Sequence, residues 1–595
     1  MPTRLSKDDK EVMAEKICDT HATRKRKRRD MEKQWADIDR QLAMIPPIEV
    51  AKARQSTIES STSWMSETEL PNQSETLEIS TADARRLMVP KGIDWFAAHA
   101  ALTDKYLEKV DIQSMIAGDE NDVPSRITQD NADKLVQGVV THWHNQYDFK
   151  GNLGLINSEA FKYSMGVGRA RYVKKRVFLH QSKGVNYKDQ KIPILVPRSI
   201  KNTFLDDSEH SLTNEGLIIA PAQIFCQTNK VKDLMLASKT GSSDINDMLG
   251  GWIKNSFKGW DEEAEVEILE WEGDMVVNRK TTGALYLPNA IISVAIGIKN
   301  GKTEGSLDKT IFRIRKNDVP YSSYILFPYH QEHIDTPYAT SPLIKGRPIQ
   351  AAQTQALNRL MELGALQSQP PVSQDSDSDE PSDIYPGAKL GESAKIHEIG
   401  NPQAMLAVYS ALDSQYSDVT GRTAARLGQQ TVSHTTAFAK DAELARGQVR
   451  INHYVDASLE GPLERWLMME YEMGRKNMVE EMFYIRPYGG FVRAKKDFLP
   501  DYVEFEAYGA GQPADENAKF QRRMGALNQA IQIDQLAISM GMPPTLDFAA
   551  IVDQTLKEGG WTDVDQLKAQ PQGQAMEPNP GLQVAAQQGL SFGNQ

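Results

Sequence analysis

Between Tyr338 and Val372 the chain sets a run of strong helix formers behind two Xaa-Pro pairs and stops it with Pro370-Pro371. Ser341-Pro342 and Arg347-Pro348 are start signals, because proline suits the first helical turn, where its missing N–H is not needed. After Pro348 the residues are mainly Ala, Gln, Leu, Arg, Met and Glu, all favourable in a helix. Leu357, Leu360, Met361 and Gly364 fall at i, i+3, i+4, i+7 and predict an apolar stripe. Gln353, Gln355, Asn358, Arg359 and Glu362 define the opposite, polar face. From Pro348 to Gln367 such a helix spans roughly 30 Å at 1.5 Å per residue.

A second helix of similar length follows an irregular interval. Asn401 can cap it, Pro402 can occupy its first position, and Gly421 offers a left-handed stop. Met405, Tyr409, Leu412, Tyr416 and Val419 alternate by four and three and form one seam. Two amphipathic helices joined by a polar excursion predict a helical hairpin. Its seams need partners, since isolated helices of this length are marginal.

The 595 residues suffice for several domains. Asp and Glu (80) outnumber Lys and Arg (68), giving a formal charge of −12, so the whole surface does not attract nucleic acid and any contact with it is local. Cys18 and Cys226 are the only cysteines, and their spacing fits no metal motif; a reducing compartment is expected. No apolar run approaches the roughly 20 residues that cross a bilayer. The charged N-terminus has no apolar segment behind it, which predicts no secretory signal and assembly in a cytoplasm.

In chain order, residues 7–43 predict a charged helix with a sticky edge of Met31, Trp35, Ile38 and Leu42. The basic run from Arg24 to Arg29 reads as a solvated face or mobile arm, with phosphate contact as the sharper alternative. Residues 46–82, rich in Ser, Thr, Glu and Pro, read as a flexible linker. Ala132, Leu135, Val136, Val139, Val140, Trp143 and Tyr147 mark an amphipathic helix. Another covers about 156–165, ended by Gly166-Val-Gly168. Strands are expected at Arg171–Leu179, Ile192–Val196, Val266–Trp271, Leu285–Leu287, Ile291–Ile298, Ile311–Ile314, Tyr324–Phe327, Phe483–Arg486 and Tyr502–Ala507. A short strand-like piece falls at Ala394–Ile399. A long helix from about Ala437 to Lys476 contains Pro462, which predicts a kink. Helices near 515–540 and 546–558 precede a Gln-, Gly- and Pro-rich tail at 569–595 that reads as disordered.

Most chemical motifs fail on inspection. Gly297-Ile-Lys-Asn-Gly301-Lys302-Thr303 is one residue short of a phosphate loop and lies between strands, where Asn300-Gly301 is a hairpin signal. Asp375-Ser-Asp377-Ser-Asp379 opens like a calcium loop, but Glu380 stands where glycine is needed and Pro386 where the last ligand is. His142 and His144 do not share a helix face, His330 and His333 lack a third ligand, and His397-Glu398 lacks the second histidine of a zinc protease. No catalytic residue, metal or cofactor is predicted.

Several stretches together resemble the portal, or head-to-tail connector, of tailed bacteriophages, and most of all the portals of short-tailed phages. These are the helix, Gly-x-Gly, strand passage from Ala160 to Leu179; the proline-ended strand and aspartate-bearing segment from Ile192 to Asp207; the approach Pro328 to Pro342; and the order of helix, excursion, helix, polar loop and long helix that follows. The resemblance covers about 160–480. It implies an α+β portal fold with wing, helical-hairpin stem, clip and helical crown, assembled as a ring, usually of twelve copies, at one capsid vertex of a virion. It implies an arm and linker at 1–83, wing at 84–341, first stem helix at 342–367, clip at 368–401, second stem helix at 402–421, tunnel loop at 422–436, long kinked helix and wing strands at 437–512, crown at 513–568 and tail at 569–595. Arg422, Arg426, Gln429 and Gln430 become candidates to touch passing double-stranded DNA without reading its sequence, and Met405, Tyr409, Leu412, Tyr416 and Val419 the stem seam. The implied partners are further copies of the chain, a terminase motor, a tail adaptor, and capsid and scaffold proteins; no membrane is involved. Two other readings stay open: another virion component, such as a tail adaptor or internal head protein, and an enzyme with an unrecognised site.

Overall fold

The computed structural model describes residues 5–45, 66–102 without 67 and 91–94, 129–206 without 182–183, 211–212, 218–219, 222–230, 265–332 without 280–282, 300–308, 318 and 320–321, 336–373, 385–390, 401–427 without 423–425, 449–478, and 481–509 without 486–489 and 495. Over these residues the protein mixes helices and strands. The Asp375–Glu380 run, the Ala394–Ile399 piece, Gln429, Gln430, His333, His397, the helices near 515–540 and 546–558 and the tail at 569–595 lie outside them.

Two sheets carry the strand-rich part. Strands β2 (Met165–Gln181), β3 (Gly184–Arg198) and β9 (Tyr324–Pro328) form one, in the order β9-β2-β3. β4 (Thr203–Phe204), β5 (Gln223–Lys230), β6 (Glu265–Arg279), β7 (Gly283–Lys299) and β8 (Thr310–Lys316) form the other, all antiparallel, in the order β8-β7-β6-β5-β4. Pro193 is tolerated because β3 is an edge strand. The pieces expected at 285–287 and 291–298 are one strand. The register shifts there, with Pro288 and Asn289 of β7 opposite the single Asp274 of β6, and Asp274 accepts from the Asn289 N–H at 2.7 Å.

The first core gathers helices α3 (Asn72–Met88), α4 (Gln129–Gln146) and α5 (Phe149–Tyr163) with the helical stretch 449–477. They cover the three-stranded sheet and a pair made by β1 (Phe96–Ala100) and β12 (Val503–Ala507). Strands β10 (Glu481–Ile485) and β11 (Gly490–Ala494) pair beside it. The predicted face of α4 is buried from Ala132 to Trp143. Inside 449–477 the proline expected to kink the helix sits in a π turn, Leu459–Leu463. That wider turn accommodates the missing N–H before α8 (Glu464–Asn477) resumes.

Two sequence expectations are corrected here. Helix α5 ends on Ser164, left-handed at φ 73°, and not on the glycines. Gly166 and Gly168 belong to β2, where an added Cβ would lie 2.4 Å from the Ile156 carbonyl oxygen and 2.7 Å from Leu195; glycine is needed there so that strand and helix can touch. The second correction concerns the N-terminus. Helices α1 (Lys7–Lys27) and α2 (Arg29–Leu42) are docked and not a mobile arm. Met13, Ala14 and Ile17 pack on the five-stranded sheet, and Trp35 joins Tyr163, Tyr338 and Phe225 in a third cluster. Arg24 and Arg28, one turn apart within the basic run, point inward. Arg24 donates to the carbonyls of Phe204 and Ala222 and pairs with Asp206 at 2.9 Å. Arg28 donates to the carbonyls of Ile200, Thr203 and Lys201 and stacks on Phe204. The end of the supposed linker is helix α3.

Candidate functional site

The hairpin is present. Helix α6 runs Pro342–Ser368 and helix α7 Pro402–Thr420. Ser341 caps α6 by accepting from the Ile344 N–H, so the helix starts at Pro342 and Pro348 lies inside it. Asn401 caps α7, Pro402 is its first residue, and Gly421 closes it at φ 73°. The helices are antiparallel: a Cβ on Gly346 would sit 2.9 Å from both Tyr416 and Thr420, while Gln353 donates to Asp413 at 3.2 Å. At 1.5 Å per residue α6 is about 40 Å long.

The near end, or base, of the hairpin is clamped by residues absent from the sequence-based candidate set. Gln350, Gln353, Thr354 and Asn358 are buried. Gln350 accepts from the Gln73 N–H at 2.8 Å and donates to the Leu70 carbonyl; Gln353 accepts from Asn72 at 3.0 Å. Asn358 accepts from the Thr68 N–H and donates to the Thr68 carbonyl, Gln73 donates to the Leu343 carbonyl, and Thr76 meets the Tyr416 hydroxyl at 3.2 Å. Burial raises the Tyr416 hydroxyl well above its ordinary pKa, keeping it neutral. Helix α2 adds Gln41, which donates to the Arg347 carbonyl, and Asp37, which pairs with Arg347. The amphipathic reading of α6 is thereby overturned: Gln353 and Asn358 of the predicted polar face are buried at the base, while Met361 of the apolar stripe, at the start of the far half, is 49% exposed.

The far end, or tip, differs. From Arg359 to Pro370 and from Pro402 to Gln415 no residue is buried. Of the predicted seam, Tyr416 is fully buried, and Met405, Tyr409, Leu412 and Val419 are half-buried. A second stripe, Ala404, Ala407, Val408 and Ala411, lies exposed at i, i+3, i+4, i+7, and Leu406 beside it is 53% exposed. Beyond the tip, Val372–Ser373 and Lys389–Leu390, both within the excursion, pair in parallel.

Two of the four DNA-facing candidates, Arg422 and Arg426, are described, and both are engaged within the chain. Arg422 binds Glu75 at 2.7 Å and Asp413 at 3.4 Å; Arg426 binds Asp83 at 2.8 Å and the Gly421 carbonyl at 2.6 Å. Glu75 and Asp83 stand eight residues apart, on one face of α3. That spacing is the only signal that could have marked them, and it means little without knowing that 72–88 is a helix.

The histidines have structural settings. His144 stacks on Phe149 at 4.1 Å with Trp95 alongside both rings, and it meets the buried Glu470 of α8 at 2.6 Å. His142 meets Gln146, and His330 faces His453. Gly297 lies within β7, paired with Glu267, and residues 300–303 of that motif lie outside the described residues. Among the described residues no helix is long and apolar enough to cross a membrane, and no group of three His, Cys, Asp or Glu side chains is placed to hold a metal. No protein-family model matches the chain, and no curated protein matches its sequence significantly.

Proposed function

We propose that this chain is a portal protein: a ring-forming structural component at one capsid vertex of a tailed phage, through which the genome is packaged and ejected. The observation that carries the reading is the contrast along one helical hairpin. Its base is clamped into the body by buried hydrogen bonds, while its tip presents two long helices whose outer apolar stripe has no cover from the described residues of its own chain. Small residues at Ala404, Ala407 and Ala411 let another helix approach closely, and head-to-tail contacts between identical copies close into a ring. In that ring the hairpin is the stem, 368–401 faces the tail adaptor and 422–436 faces the channel.

The electrostatics support a passive conduit. A channel must release its cargo at every step, and in a chain of net charge −12 the Arg422 and Arg426 side chains, held by Glu75, Asp83 and Asp413, offer phosphates little grip at those two positions. The energy for packaging then comes from a separate terminase motor. Electron microscopy of the purified protein tests the proposal: closed rings with a central hole are expected. Removing 374–383 is expected to leave the rings and impair tail attachment. Loss of the rings in that deletion would reject the assignment of 368–401 to the tail-facing end.

A further inference from the structure

The two sheets meet across a charged seam that the portal reading does not use. Arg169 and Arg171 project from one face of β2, and Arg198, at the end of β3, lies on the same face on the Arg169 side, since its register partner is Val167; its charge is felt by both. Glu270 and Glu272 project toward them from one face of β6, whose other face sends Leu269 and Trp271 into the core under α1. Glu272 is saturated: it accepts from Arg169 at 2.9 Å, from the Ser323 hydroxyl at 2.7 Å and backbone N–H, and from Asn317 at 3.1 Å. Glu270 is shared among several guanidiniums. It contacts Arg169 directly, and Arg171 and Arg313 at 3.8 Å each. The Arg198 guanidinium lies over the Phe225 ring at 4.7 Å, and its Nε has no hydrogen-bond partner.

The three guanidiniums of Arg169, Arg171 and Arg198 therefore face the two carboxylates Glu270 and Glu272 in a partly desolvated place, and such an excess is costly unless an anion neutralises it. The environment carries the mark of the imbalance. Burial and then the neighbouring Arg169 and Arg198 push Arg171 down to about 10; burial and then Arg169 lower Arg198 as well. Burial alone would raise Glu270, yet the guanidiniums hold it at about 2. The seam is also reachable, because the Arg171 side chain is 39% exposed while Glu270 beneath it is 3% exposed. Guanidinium forks match tetrahedral oxyanions with paired N–H donors better than any other side chain does.

We propose that Arg171 and Arg198, with Glu270 beside Arg171 as the internal competitor, form a binding site for a phosphate group, either free phosphate or a phosphodiester of a nucleic-acid backbone. The site does not depend on the ring reading. The test uses the full chain. Thermal unfolding is followed while sodium phosphate replaces chloride at constant ionic strength, and a labelled DNA duplex is titrated separately by fluorescence anisotropy. Saturable stabilisation by millimolar phosphate, of about 2 °C or more, is expected. R171Q is expected to weaken it about tenfold, R171Q with R198Q to abolish it, and E270Q to strengthen it. Duplex binding that disappears in the double variant assigns the phosphate to a nucleic-acid backbone; phosphate binding without duplex binding assigns the free ion. Absence of both in the wild-type protein overturns the proposal. So does a phosphate response that is unchanged in both R171Q and E270Q, a result that can be read even if the double variant fails to fold.

Discussion

The base and the tip of the hairpin are built from the same two helices and obey opposite rules. At the base, amides and hydroxyls are buried and matched: Gln350, Gln353 and Asn358 on α6 meet Thr68, Asn72 and Gln73. At the tip, Met361, Leu406 and Val408 are about half exposed and no side chain is fully covered. Buried polar groups hold one arrangement to the extent that they are paired, and here the paired amides outnumber the Gln41 and Gln73 Oε1 atoms that have no hydrogen-bond partner. The tip is left with apolar surface that a neighbour can cover. The comparison teaches that amphipathicity in α6 is split along its length, polar-in near the body and apolar-out away from it.

The largest expected effect is at the tightest point of the base. Gly346→Val drives side-chain atoms into Tyr416 and Thr420, and we expect a loss of about 1–3 kcal/mol in urea unfolding. Next, Gln353→Leu leaves the Asn72 amide without its acceptor and lowers stability by about 1–3 kcal/mol; adding Asn72→Leu should recover part of that loss, as a double-mutant cycle will read. Acid distinguishes helix α1 from the amide-lined base. Burial, followed by Lys25, lowers His21 on α1 from 6.5 to about 4. The unfolded chain binds that proton first, so the stability His21 contributes is complete above about pH 6.5 and is lost as pH falls through about 4. Hydrogen exchange should show α1 loosening over that interval while the amide-lined base stays protected. Smaller still, Gly364→Ala, at a tip position with open space around it, should gain about 0.5–1 kcal/mol, opposite in sign to the change at Gly346. Finally, Met361→Ser, Leu406→Ser and Val408→Ser should each alter protomer unfolding by no more than about 0.5 kcal/mol, yet together dissociate assemblies in sedimentation.

The sequence disclosed the parts of this design that rest on apolar periodicity and on proline or glycine punctuation. Asn401, Pro402 and Gly421 bound α7 as expected, and the buried face of α4 was readable from Ala132 to Trp143. Helix α3 was hidden because its buried residues include Asn72, Gln73, Thr76 and Ser80, which composition alone marks as linker. Arg24 and Arg28 were hidden within a run of like charges, since their partners are backbone carbonyls nearly two hundred positions away. For the candidate site the helices were legible and the clamp was not. Nothing local distinguishes Glu75 and Asp83 from solvated carboxylates until α3 is laid beside Arg422 and Arg426.

The most direct test of the central claim is the number of chains in the particle formed by the purified full-length protein, counted by native mass spectrometry. Assembly through the hairpin tip predicts one closed multimer, with twelve copies the expected count, that falls apart in the triple tip variant while each protomer stays folded. A protomer that remains single at every concentration, or a multimer indifferent to Met361, Leu406 and Val408, would contradict it.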